Sequence, residues 1–84
     1  MALKEDFERA AKDVQGLKTR PGNVTLLELY AFFKQATEGD VKGSRPGMLD
    51  LKGRAKYDAW AKKKGVAPDK AMQDYVGLVK SLLS

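Results

Sequence analysis

The chain contains no cysteine and no histidine. The first absence removes disulfide staples, thiol nucleophiles and thiolate metal ligands; the second removes imidazole as a general base or metal ligand. Most protease, hydrolase and metalloenzyme readings fall with them. Long hydrophobic runs are missing too, since the longest fully apolar stretch is Leu29 to Phe33, far short of the roughly 20 residues that span a bilayer. Met1-Ala2-Leu3-Lys4-Glu5-Asp6 turns charged at once, unlike the apolar core of a secretory signal, so a soluble, cytoplasmic protein is expected. Strand-type alternation, internal repeats and low-complexity tracts are also lacking. A length of 84 residues suits one small domain, residues 1–84, that buries only roughly 60–65% of the surface its unfolded chain would expose.

What is present is charge, unevenly placed. Sixteen Lys and Arg against eleven Asp and Glu give a net +5. Between Lys42 and Lys64 stand eight cations (Lys42, Arg45, Lys52, Arg54, Lys56, Lys62, Lys63, Lys64) and two anions (Asp50, Asp58), a local +6 that leaves −1 for the rest. A local positive potential points to an anionic partner met at one place. The ordinary alternative is a solvated helix face.

The apolar pattern is helical. Phe7, Ala10, Ala11, Val14 and Leu17 fall within about 120° of a helical wheel, one ordinary buried stripe. Pro21-Gly22 separates this element from a second helix with Asn23 as N-cap and Gly39 as its stop. Asp50 is placed to cap a third helix through about Lys63, ended by Gly65. Pro68 opens a fourth, with Met72, Tyr75, Val76, Val79, Leu82 and Leu83 on one face. Ala67 is a poor N-cap, and Gly77 costs about 1 kcal/mol relative to Ala inside a helix. The expected fold is an all-α bundle of four helices.

The second helix departs from the usual pattern. Leu26, Leu27, Leu29, Tyr30, Ala31, Phe32, Phe33 and Ala36 cover about 260° of the wheel, where a surface helix shows a stripe of roughly 100° or somewhat more. A central helix packed on two neighbours would explain this. So would a face around Leu26, Leu27 and Tyr30 that floors an apolar ligand groove, with Lys34 one turn on at its edge. The third helix supplies a complement. Lys52 and Lys56, four apart, share one face bordered by Gly53, Tyr57 and Trp60, and their repulsion is relieved only by a bridging anion. Gly53 inside a helix suits close approach by another chain or a ligand.

The block Lys34-Gln35-Ala36-Thr37-Glu38-Gly39-Asp40, followed at this distance by Arg45-Pro46-Gly47-Met48-Leu49-Asp50, resembles the core motif of the acyl-CoA-binding protein family. The likeness extends from Phe7-Glu8-Arg9-Ala10-Ala11 through Leu17-Lys18-Thr19-Arg20-Pro21 to Ala71-Met72-Gln73-Asp74-Tyr75. It implies a four-helix bundle of up-down-down-up topology that binds medium- to long-chain acyl-CoA esters without chemistry and without a cofactor or metal. By position it implies that Tyr30, Lys34 and Lys56 meet the ribose 3′-phosphate, that Lys52 assists at the phosphates, and that Tyr75 lies at the adenine end. Leu26 and Leu27, with Ala55 nearby, would contact the acyl chain. Phe33 departs from the Tyr the family commonly has for packing on adenine, keeping the ring face and losing the hydroxyl; Gln15 departs where some members carry a further Lys. The expected behaviour is that of a monomeric carrier or buffer of acyl-CoA with no stable membrane insertion and no nucleic-acid partner. A basic helical module that binds nucleic acid through Tyr57 and Trp60, or a protein partner, is the alternative. An enzyme fits least, because Glu38, Asp40, Asp50 and Asp58 stand in capping or solvent-facing contexts without paired partners.

Overall fold

The computed structural model describes residues 2–83 and contains four α-helices: α1 (Leu3–Asp13), α2 (Asn23–Glu38), α3 (Leu51–Ala61) and α4 (Pro68–Leu83). The stripe of α1 closes earlier than its periodicity suggests. Val14–Gly16 tighten into a 3₁₀ turn, as helix ends commonly do, so Leu17 lies beyond the helix. Gly22, in extended conformation, holds the N-cap position of α2, and Asn23 is already the first helical residue. Gly39 stops α2 and Gly65 closes the turn before α4, at φ of 81° and 90°, a region that costs glycine nothing. Asp50 does cap α3, accepting from the Gly53 N–H at 3.0 Å; the α-helix itself ends at Ala61, and turns carry the chain from there to Gly65.

The core joins α1, α2 and α4 through Phe7, Ala10, Leu29, Ala36, Ala71, Tyr75 and Val79. Ala10, Ala36 and Ala71 lack bulk, which lets α1 and α2 each pack closely on α4. On α4 the buried row is Ala71, Tyr75 and Val79, flanked by half-buried Met72, Val76, Leu78 and Leu82, while Leu83 is exposed and Gly77 faces open space. Neighbouring pairs fix the directions. Phe7 meets Phe33 while Val14 nears Leu26, so α1 and α2 are antiparallel. Lys56 lies over Tyr30 and Trp60 under Lys34, so α3 runs parallel to α2. Val66 meets Gln35 at the head of α4, whose chain then returns past Phe33 with Tyr75. The topology is up-down-down-up, with α3 packed on α2 alone among the helices. The breadth of α2's apolar surface follows: one side faces α4 and another α3.

Candidate functional site

Parallel neighbours need a long connection, and residues 39–50 supply it. Side chains of α3 hold that connection down. The indole N–H of Trp60 donates to the Gly39 carbonyl at 2.8 Å, and the Tyr57 hydroxyl donates to the Gly43 carbonyl at 3.2 Å. Arg45 grips Asp58 with two bonds of 2.9 and 2.8 Å, which holds the Asp58 carboxyl below its ordinary pKa and raises that of the guanidinium. At the far end Asp40 accepts from the Gly65 N–H at 2.8 Å and from Gln35 Nε2 at 2.9 Å; these bonds, the first above all, lower its pKa. Gln35 is 1% exposed and donates a second bond, of 2.8 Å, to the Val66 carbonyl. Lys63 pairs with Glu28 at 2.9 Å over the ring of Phe32. The C-terminal ends of α2 and α3 are thus bolted together, while their N-terminal halves part around a groove.

That groove has a volume of about 430 Å³ and is lined by Arg20, Asn23, Leu26, Leu27, Tyr30, Leu51, Lys52, Ala55 and Lys56. A second hollow of about 350 Å³, walled by Val14, Gln15, Pro21, Leu26, Leu29, Tyr30, Phe33 and Tyr75, adjoins it. Leu26 and Tyr30 line both, so the two form one bipartite site. At the seam the Lys56 ammonium sits 5.4 Å from the centre of the Tyr30 ring, a cation–π placement that aims a charge at the junction. In the second hollow Phe33 is 37% exposed and stacks on Phe7 at 5.4 Å, with Tyr75 5.9 Å away. Burial raises the pKa of Tyr75, which keeps its phenol neutral.

Eight of the nine residues singled out from the sequence therefore line these two connected hollows. Lys34 lines neither. Its ammonium bonds Glu38, which raises its pKa, and lies 5.1 Å from the centre of the Trp60 ring beyond Tyr30. Gly53 also has a different reason from the one expected: a Cβ there would run into the carboxylate of Asp50, so the small residue serves the helix cap. Sequence reasoning missed Arg20, Asn23 and Leu51 in the groove, and Phe7 beneath Phe33. Pro21 was the available signal for Arg20, because a residue before proline is held extended. The carboxylates are occupied in turn: Glu38 by Lys34, Asp40 by Gln35 and Gly65, Asp50 by the α3 amide and Asp58 by Arg45. None is left as one of a catalytic pair.

Residues 4–79 match the family model described as acyl CoA binding protein. The chain belongs to the acyl-CoA-binding protein family. It is 51% identical over 85 aligned positions to the acyl-CoA-binding protein homolog of Manduca sexta, covering 100% of this chain and 94% of that one. With the acyl-CoA-binding protein homolog 1 of Caenorhabditis elegans it shares 54% identity over 78 positions, 93% of this chain and 91% of the other. The crystal structure of acyl-CoA-binding protein 2 from Oryza sativa superposes with a TM-score of 0.92 at 43% identity, across 96% of this chain and 88% of that one. These relatives are named as binding proteins.

Proposed function

We propose that this acyl-CoA-binding protein carries and buffers one medium- to long-chain acyl-CoA ester per monomer in the cytoplasm. The observation that carries the reading is the bipartite site with a cation at its seam: an apolar groove on one side, an aromatic hollow on the other, and Tyr30 between them under Lys56. An acyl-CoA has the same three parts in the same order. Its tail would lie along Leu26, Leu27, Leu51 and Ala55, and its 3′-phosphate between Tyr30, Lys34 and Lys56, with Lys52 assisting. Its adenine would rest on the exposed face of Phe33 beside Tyr75. Lysine point charges from two helices suit the several charges of the phosphates. A groove of about 430 Å³ falls in the range of roughly 300–1,000 Å³ typical of small-molecule sites. A tail of about fifteen methylenes offers on the order of 10 kcal/mol gross at roughly 0.8 kcal/mol per buried CH₂. That brings nanomolar affinity, about −12 kcal/mol, within reach after ordering costs.

The alternative nucleic-acid module would need Trp60 as a stacking platform. Trp60 is 7% exposed and its N–H is committed to Gly39, which disfavours that use. Calorimetric titration with palmitoyl-CoA, CoA and a short oligonucleotide tests the proposal. Palmitoyl-CoA should bind far more tightly than CoA; an oligonucleotide tighter than either would overturn the reading. Lys34→Ala and Lys56→Ala should each cost roughly 1–3 kcal/mol of binding, the scale of hydrogen bonds to charged groups. If both mutants still discriminate against dephospho-CoA esters as strongly as the parent, these lysines do not hold the 3′-phosphate.

A further inference from the structure

Lys34 stands one turn beyond Tyr30 on α2, a rise of about 6 Å, yet its ammonium lines neither hollow and is drawn the other way. It is ion-paired with Glu38 and lies 5.1 Å from the centre of the Trp60 ring. The pair does little for the helix that carries it. Glu38 is the last residue of α2 and no cation stands in that last turn, so its carboxylate sits at the negative end of the helix dipole, where an anion is unfavourable. Lys followed by Glu four residues on is also the weaker order for a helical ion pair. Both side chains are open to water, 24% for Lys34 and 44% for Glu38, and a pair so exposed adds little to folding. Lys56, by contrast, has no carboxylate partner among the described residues and already lies over Tyr30. Of the two ammonium groups assigned to the 3′-phosphate, one waits at the seam and the other is held off it.

We infer that Glu38 is a resident competitor for Lys34: an incoming ribose 3′-phosphate displaces the carboxylate, and the carboxylate recaptures the ammonium as the phosphate leaves. The inference rests on the ligand assigned above and adds a residue that sets affinity and release without touching that ligand. A carboxylate four residues away on the same helix competes from within the molecule, so its effective concentration is high and dilution does not remove it. The flexible four-carbon stem of Lys34 lets the ammonium swing back a turn toward Tyr30. A 3′-phosphate wins the exchange because it carries more charge than a carboxylate and meets Lys56 as well. An ester without that phosphate leaves the pair intact. The opposing view, that Glu38 positions Lys34 for the phosphate, predicts an ammonium already at the seam and an effect of opposite sign.

The test is calorimetric titration of palmitoyl-CoA and its dephospho ester into the parent, Glu38→Gln, Lys34→Ala and the double variant, with dissociation rates from stopped-flow displacement. Glu38→Gln should bind palmitoyl-CoA roughly two- to fivefold more tightly, the scale of freeing an exposed helical ion pair, with most of the gain in slower dissociation. Its affinity for the dephospho ester should change by less than about twofold, and it should melt no lower than the parent, since an unfavourable charge has left the helix end. In the Lys34→Ala background the same substitution should leave palmitoyl-CoA affinity nearly unchanged. Weaker or equal palmitoyl-CoA binding by Glu38→Gln would overturn the competitor while leaving the assigned ligand in place. So would an equal gain on the dephospho ester or in the Lys34→Ala background, either of which would reduce Glu38 to one more diffuse negative charge. A parent that binds palmitoyl-CoA no more tightly than CoA would instead remove the assigned ligand and the competitor with it.

Discussion

Phe33 lies between two environments, and its side chain serves both. One face rests on Phe7, itself 5% exposed, while more than a third of the residue remains open to the hollow. Phe33→Ala should therefore register twice. Thermal melts should show a loss near the about 0.5–1.5 kcal/mol of an aromatic pair plus the area it buried, and titrations with palmitoyl-CoA a loss of roughly 1–3 kcal/mol, the scale of base–aromatic stacking. Phe33→Tyr should change either quantity by less than about 1 kcal/mol, because a hydroxyl at an exposed ring edge exchanges one partner for water. Large stability losses in both variants would mark a buried ring and remove it from the site. The wheel of α2 had shown Phe33 as apolar but not where it pointed, since a helix apolar over most of its girth gives no phase. Only the placement of Phe7 and Tyr75, set by how α1 and α4 cross α2, settles that direction.

At the scale of elements, α3 shows which features a sequence carries locally. Asp50 and the closing glycine at Gly65 were legible because caps and positive-φ turns are matters of a few adjacent residues. The bonds that aim α3 were not, for each joins residues far apart in sequence: Trp60 to Gly39, Tyr57 to Gly43, Arg45 to Asp58. Trp60→Phe keeps an aromatic ring, smaller than the indole, and deletes the N–H, leaving the half-buried Gly39 carbonyl without that donor. A loss of about 1–3 kcal/mol in denaturant unfolding is expected. The bond between Gly65 and Asp40 makes a different kind of statement. Because folding lowers the carboxyl pKa, its contribution is full above the unfolded value near about 4 and fades as pH falls through the lower folded value. Asp40→Asn should thus flatten the acid side of the stability profile, seen as urea midpoints that fall less between neutral and acid pH than the parent's. An unchanged slope would mean that Asp58 and other carboxylates carry the acid response alone.

The whole molecule is a slab, 40 × 29 × 15 Å across its Cα atoms, and α3 touches no helix but α2. An element that adds no side chain to the shared core should open locally at lower free energy than the three that build it. In hydrogen exchange without ligand, the amides of α3 should exchange before those of α1, α2 and α4, and palmitoyl-CoA should slow α3 most. Uniform protection in both states would contradict this. A molecule lying between the two parallel helices takes the place of the packing partner that α3 lacks. Ligand concentration then becomes a variable of the fold itself: by mass action, excess ligand at about a hundred times its Kd would hold the element shut by a further about 2.7 kcal/mol. A cell short of that ligand would contain protein with a loosely attached helix and a long connection open to proteases, so turnover of the protein would track supply of the ligand.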